Sequence, residues 1–157
     1  MISLNYLLKQ IKDKANLHTQ INTFAQGQKY DFSADSAILY PCLWAIPMGV
    51  SPGTSSSGNG ILGRTVDYRI SLFMMDIELS DGSNEIDILS DTAQILFDIV
   101  AKLDSDSNDE AEWQLSAIGN FEPFVDAQLD TVSGHSTELT FSVFYAKDTC
   151  NNIFITP

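Results

Sequence analysis

The sequence is poor in positive charge. It has eight lysine and arginine residues against 21 aspartate and glutamate residues, which gives a formal net charge of −13. A surface of this sign repels phosphate groups, so we expect no tight binding to a nucleic-acid backbone. The plainest use of such an excess of acid is solubility.

Cysteine and long apolar runs are also scarce. Cys42 and Cys150 are the only cysteines, and their spacing matches neither a CxxC motif nor a zinc site. No run approaches the roughly 20 apolar residues that a membrane-spanning helix needs. Residues 1–17 mix charges into an apolar pattern, which is unlike a signal peptide. We therefore expect no membrane partner and no oxidising compartment.

The motifs of common catalytic and cofactor sites are missing too. Residues 53–58 have the glycine spacing of a phosphate-binding loop, but asparagine and glycine follow where lysine and serine or threonine are required. Residues 104–110 begin like a calcium loop, yet the glycine at position six and the glutamate at position twelve are absent. His18 and His135 lie in polar contexts typical of a helix end and a turn. We predict no catalytic residues, no cofactor and no metal site.

Hydrophobic periodicity predicts two helices. In residues 3–17 the apolar positions recur at helical spacing: Leu4, Leu7, Leu8, Ile11 and Ala15. A second helix is expected after Asn84, a suitable N-cap residue. Its apolar residues are spaced alternately three and four apart: Ile86, Leu89, Ala93, Leu96, Val100 and Leu103. The acidic run 104–110 that follows is predicted to be a loop.

Strand patterns precede and follow the second helix. Residues 70–75 are apolar on both faces apart from Ser71, which predicts a central strand covered on both sides. Residues 113–117 alternate between apolar and polar. A half-buried antiparallel strand is predicted near the C-terminus from four alternating apolar residues: Leu139, Phe141, Val143 and Tyr145. The apolar segment 37–47 contains Pro41 and is expected at a sheet edge or in an irregular extended segment.

These elements predict one α+β domain over residues 1–157. Its sheet is expected to be mostly antiparallel, with both helices packed on one face. A long loop, residues 49–63, holds five of the nine glycines and joins two extended segments. We expect this loop to be poorly ordered in an isolated subunit and to become ordered near another subunit. Residues 150–157 are expected to form a C-terminal tail.

The order of these segments resembles a known family. The strand–turn–helix unit YRISLFMMDIELSDGSNEIDILSDTAQILFDIVAKL (residues 68–103) follows a short N-terminal helix and the apolar YPCLWAIP segment. The strand FSVFYAKDTCN closes the pattern. Together they resemble the small tail-terminator, or tail-completion, proteins of tailed bacteriophages. The resemblance covers most of the chain, and its motifs are hydrophobic rather than catalytic.

The resemblance implies a structural virion protein rather than an enzyme. Tail terminators are α+β subunits that assemble into a ring, commonly a hexamer. The ring caps the tail tube, stops its polymerisation and provides the docking face for the head or neck connector. DNA passes through the bore without specific binding. The expected location is therefore the tail and neck region of the virion, after assembly in the host cytoplasm.

Contacts with other subunits are assigned to the glycine-rich loop and to the apolar C-terminal end. The residues proposed for these contacts are Ser51, Thr54, Ser56, Asn59, Ile153, Phe154 and Ile155. Two alternatives stay open. One is a head-completion protein, neck connector or other tail ring protein. The other is a small hydrolase or ligand-binding domain, because Ser136, His135 and many aspartates leave a Ser-His-Asp set possible by counting alone.

Overall fold

The computed structural model describes residues 2–27, 38–53, 65–109, 112–126 and 131–144. Within these ranges the elements are α1 (Leu4–Leu17), β1 (Thr23–Gln26), β2 (Cys42–Pro52), β3 (Thr65–Ile77), α2 (Glu85–Asp109), β4 (Trp113–Ile118), β5 (Glu122–Asp126) and β6 (Val132–Phe144). They form one six-stranded sheet with two helices. The predicted α+β class is confirmed.

The sheet has the strand order β1-β2-β3-β6-β4, and β5 also pairs with β6. The β1–β2 ladder is parallel, and the other ladders are antiparallel. The longest ladder joins β3 to β6, from Thr65 opposite Phe144 to Ile77 opposite Val132. β3 pairs with one edge of β6 along its whole length. β4 and β5 pair with the other edge, one after the other along β6.

Both helices pack on one face of the sheet, as predicted. A large apolar core lies between the helices and this face. Its strand residues are Leu43, Ala45, Ile70, Leu72, Met74, Trp113, Leu115, Leu139, Phe141 and Val143. The helix residues that meet them include Leu7, Ile11, Leu96 and Leu103. Burial of this apolar surface is the main stabilising term of the fold.

The opposite face of the sheet, called the second face below, carries a smaller apolar cluster. Its buried members are Cys42, Trp44, Ile46, Met75 and Val132. Phe73 packs at its margin, with its ring 5.5 Å from that of Phe124 in an edge-on contact. β3 therefore contributes buried side chains to both faces. This confirms the prediction that it is a central strand.

The predicted acidic loop at residues 104–110 is wrong, because α2 continues through Asp109. Lys102 and Lys14 both bind the carboxylate of Asp106, and they hold its pKa below the usual value. Lys14 belongs to α1, so this ion pair also joins the two helices. The hydroxyl of the buried Ser107 donates to the carbonyl of Asp104 at 2.8 Å. The acidic run is thus a helical end with lysine partners.

The predicted edge position of segment 37–47 is also wrong. β2 lies between β1 and β3, and its residues 42–45 pair on both sides. Pro41 precedes the strand, and Pro47 lies beyond the part that pairs with β1, so neither proline interrupts the parallel ladder. β2 then continues through Pro52, so residues 49–52 of the predicted loop are strand.

Shortening the loop between β2 and β3 should leave stability almost unchanged. The backbone N–H of Gly53 donates to the carbonyl of Thr65 at 2.9 Å, which closes the hairpin before residue 54. Residues 54–64 lie outside the described part of the chain. Deletion of residues 54–59 should change the free energy of unfolding by less than about 1 kcal/mol, since closure entropy depends weakly on loop length. Urea denaturation measures this. A much larger loss would mean that the loop contributes to the core.

Candidate functional site

Only one of the predicted contact residues lies in the described part of the chain. Ser51 is an exposed residue of β2, and it lies opposite Asp67 of β3. The other six are outside the described residues: Thr54, Ser56, Asn59, Ile153, Phe154 and Ile155. The structure therefore brings no group of them together, and their assignment stays a prediction.

The described surface contains a groove that the sequence reasoning missed. It lies on the second face and has a volume of about 260 Å³. Its lining comes from β3, β6 and the connection between β4 and β5: Ser71, Phe73, Gly119, Asn120, Glu122, Ser136, Thr137 and Glu138. We call it the second-face groove.

The second-face groove is produced by the break between β4 and β5. The backbone N–H of Gly119 donates to the carbonyl of Glu138 at 2.8 Å, and its carbonyl accepts from the hydroxyl of Thr137 at 3.0 Å. A Cβ at position 119 would lie 3.1 Å from the Glu138 carbonyl oxygen. Glycine thus allows the chain to approach β6 closely where the pairing of β4 ends.

The chemistry of the second-face groove is acidic and aromatic. Glu122 and Glu138 are both exposed. The only cation near Glu138 in the described part is Arg69, at 3.9 Å between Nη1 and Oε1, and both side chains are about half exposed. Phe73 supplies the aromatic wall, and its contact with Phe124 fixes the ring. This arrangement suits a cationic side chain better than an anion.

Sequence reasoning had a partial signal for this groove. The alternation of β6 already placed Glu138 on the face opposite Leu139 and Phe141. Gly119 also follows closely on the alternating residues 113–117 in the sequence. The missing information was the pairing of Glu122 with Ser136, because that register joins segments whose mutual position no local pattern specifies.

The prediction that His135 lies in a polar turn is wrong. His135 is within β6 and lies opposite Met74, and its Nδ1 is 3.2 Å from the hydroxyl of Thr92 on α2. The Thr92 hydroxyl donates to the carbonyl of Ile88 at 2.7 Å, so the imidazole donates to Thr92. The burial of His135 under α2 lowers its pKa. His18, in contrast, is the residue that ends α1, as predicted.

His135 should make the fold sensitive to mild acid. Its pKa in the folded chain is below the usual 6.5, so the folded state takes up a proton less readily than the unfolded state. The free energy of unfolding should therefore be unaffected by His135 above about pH 6.5. It should fall as the pH drops towards the pKa of His135 in the folded chain. In urea titrations between about pH 7.5 and 5, H135Q should flatten this decline.

The matched control for this experiment is H18Q, in which the decline assigned to His135 should remain because the contact of His135 with Thr92 is unchanged. Asp81 and Asp106 have pKa values below 3.8, so their stabilising contributions are lost only at lower pH. A decline of equal size in H135Q and in the unsubstituted protein would contradict the assignment to His135.

The strand geometry opposes a hydrolytic site built on Ser136 and His135. Successive residues of a strand point to opposite faces. His135 contacts α2, whereas the Ser136 hydroxyl donates to the carbonyl of Glu122 at 3.5 Å beside the second-face groove. The imidazole therefore lies on the wrong side of the sheet to activate this serine.

Other reactive groups are sparse in the described part. Cys42 is buried and unpaired, and burial raises the pKa of its thiol to about 12, which opposes reactivity. Among the described residues, no group of three or more His, Cys, Asp or Glu side chains is placed to hold a metal ion. Neither described helix is long and apolar enough to span a membrane.

Positive charge in the described ranges is concentrated on one part of the surface. Three lysines are on α1, namely Lys9, Lys12 and Lys14. Lys102 of α2 approaches the same region through the carboxylate that it shares with Lys14. Arg69 of β3 is the remaining described cation. The chain is acidic overall, and among the described residues α1 is the element with the most lysines.

The chain was compared with models of known protein families and with curated proteins. Neither comparison found a match.

Proposed function

We propose that this chain is a ring-forming tail terminator of a tailed bacteriophage. In this role it caps the tail tube, stops its polymerisation and presents a docking face to the head or neck connector. The observation that carries the proposal is a strongly acidic α+β subunit whose two sheet edges differ in structure and in charge. One edge is the short parallel strand β1 beside the basic helix α1, and the other is the pair β4 and β5 beside an acidic groove.

Unlike edges favour a ring over a symmetric dimer. A contact between two different surfaces of identical subunits repeats from copy to copy, and it ends only when the rotation closes a ring. Edge strands are natural places for such joints, because their outer backbone groups can pair with another chain. A subunit of this kind fits a cap on a tubular assembly.

The net charge of −13 supports the same proposal. A bore that DNA must cross should not hold it, and acidic side chains give no counterion-release gain with phosphates. Repulsion along the bore leaves passage of DNA fast and independent of its sequence. Ring formation then requires local pairing of opposite charges or apolar contacts, since like-charged subunits otherwise repel each other.

Co-assembly with a tail-tube protein tests the proposal. The tube protein encoded in the same genome is polymerised with and without this chain, and tube lengths are measured by negative-stain electron microscopy. A terminator should stop growth and sit at the tube end as a ring. Continued growth, with no density of this chain at the ends, would refute the proposed function.

The same experiment distinguishes a tail terminator from a neck connector or a head-completion ring. Such a protein should form rings yet leave growth of bare tube unchanged. The ligand-binding alternative has the second-face groove in its favour. Under that reading the protein should remain monomeric at high concentration, in the presence as well as in the absence of tube ends. Light scattering gives the mass in solution.

A further inference from the structure

We propose that the second-face groove receives exposed lysines of α1 from a second copy of this chain. The donor surface, called the α1 lysine face, consists of Lys9 and Lys12. The acceptor surface consists of Glu122 of β5, Glu138 of β6 and the ring of Phe73 on β3. This inference rests on the proposed ring, since it names the joint that would connect its subunits.

The acceptor has two carboxylates on one face of the sheet. Glu122 lies directly opposite Ser136, and Glu138 is two residues further along β6, so the two residues are diagonal neighbours. The backbone positions of such neighbours are about 7–8 Å apart. A cation that enters between the two side chains would be attracted by both carboxylates. Arg69 approaches Glu138 at 3.9 Å, and Glu122 has no ion pair in the described part of the chain.

The aromatic wall adds a reason for a cation. Phe73 lines the groove beside Glu122, and the contact with Phe124 keeps its ring in place. An ammonium group near an aromatic ring gains electrostatic attraction from the ring quadrupole, on the order of 0.5–1 kcal/mol at exposed sites. Flanking carboxylates increase that attraction. The groove therefore favours a positively charged side chain.

The donor is identified by elimination among the described cations. Lys14 and Lys102 bind Asp106, and Arg69 approaches Glu138. Lys9 pairs with Asp13, but its side chain is 67% exposed and its ammonium group can exchange partners. Lys12 is exposed and has no ion pair among the described residues. Lys9 and Lys12 are three residues apart, so they share one face of the helix.

The positions of the two surfaces fit a head-to-tail joint. α1 packs against β1 and α2, at the β1 end of the sheet. The second-face groove is at the other end, between β3, β6 and β5. One subunit can therefore offer lysines on one side while it accepts lysines on the other. Copies with a charge of −13 would also need such a pairing to overcome their mutual repulsion.

Charge reversal on each side tests the joint. The donor variant is K9E/K12E and the acceptor variant is E122K/E138K. Each should need at least about tenfold more protein for half-maximal ring assembly, because it places like charges across every joint. Light scattering and negative-stain images score the assembly in low salt. D87K/D91K, which changes two exposed α2 carboxylates and adds the same charge as the acceptor variant, should assemble normally.

Rescue makes the test specific. The chain with all four reversals should assemble again, since each joint then has its charges exchanged. An equimolar mixture of the donor and acceptor variants should also assemble, because alternating copies place opposite charges at both kinds of joint. Circular dichroism first confirms that each variant folds. If E122K/E138K does not fold, E122K alone replaces it in every arm.

The outcomes separate the joint from the proposed function. Wild-type protein that forms no ring in solution and none on tube ends would overturn the ring itself. A wild-type ring combined with unaffected variants, or with variants that neither rescue restores, would overturn only this joint. Loss of assembly in the acceptor variant but not in the donor variant would also overturn it, since the groove would then hold another partner.

Discussion

Replacing Gly134 with alanine should destabilise the fold by about 3 kcal/mol or more. Gly134 is in β6, where it lies opposite Met75 of β3 and Phe124 of β5. A Cβ at this position would be 2.0 Å from the carbonyl oxygen of Met74 and 2.9 Å from the Cα of Met75. Both obstacles are backbone atoms of the central ladder, so no side-chain rotation relieves the clash. The ladder itself must separate.

G49A is the matched control for G134A. Among the described residues, a Cβ at position 49 of β2 would meet only the guanidinium of Arg69, at 3.4 Å, and this long side chain can move. The free energy of unfolding of G49A should stay within about 1 kcal/mol of that of the unsubstituted protein. The midpoint of urea unfolding compares the two variants. Equal, small effects would show that β3 and β6 do not approach as closely at Gly134 as the structure has them.

Truncation of Phe141 to alanine should cost about 3–5 kcal/mol. Phe141 is fully buried in β6, and its ring centroid is 5.6 Å from that of Trp113 in β4. Removing the ring leaves a cavity in the core on the helix side of the sheet and removes an aromatic contact. Since a domain has a total stability of only about 5–15 kcal/mol, the variant should unfold at much lower urea concentration.

F144A tests the same chemical change at the end of the same strand. Phe144 is 51% exposed, so truncation should cost less than about 1 kcal/mol. The contrast between positions 141 and 144 measures burial, because residue type, strand and substitution are held constant. A loss for F144A as large as that for F141A would place Phe144 in a buried contact that the described residues do not contain.

Hydrophobic periodicity was sufficient to predict an element where only one side of that element is buried. The spacing of Leu89, Leu96 and Leu103 predicted α2, although Ile86 of the predicted apolar face is 80% exposed and Ile88, Ile95 and Ile99 are buried. The alternation through Leu139 and Phe141 predicted β6. Both patterns follow from the contact of one element with a single core. The two-faced apolar run of β3 likewise predicted its central position. The class of the fold followed from these three elements.

Sequence patterns gave wrong predictions where a residue far away in the sequence determines the local structure. Residues 104–109 look like a loop by composition, but Lys14 of another helix binds within them and α2 continues. His135 looked like a turn residue, because nothing near it in the sequence points to Thr92. The second-face groove depends on the register of β5 with β6. Long-range pairing of this kind leaves no local signal.

The placement of β6 has a consequence for how the chain is made. β6 is the last described element, yet it lies inside the sheet and pairs with β3, β4 and β5. Its first pairs with β3 join Ile77 to Val132, and its last join Thr65 to Phe144. Contacts so distant in sequence slow folding. During synthesis on the ribosome, the edge of β3 that pairs with β6 therefore remains unpaired until nearly all of the described chain has emerged.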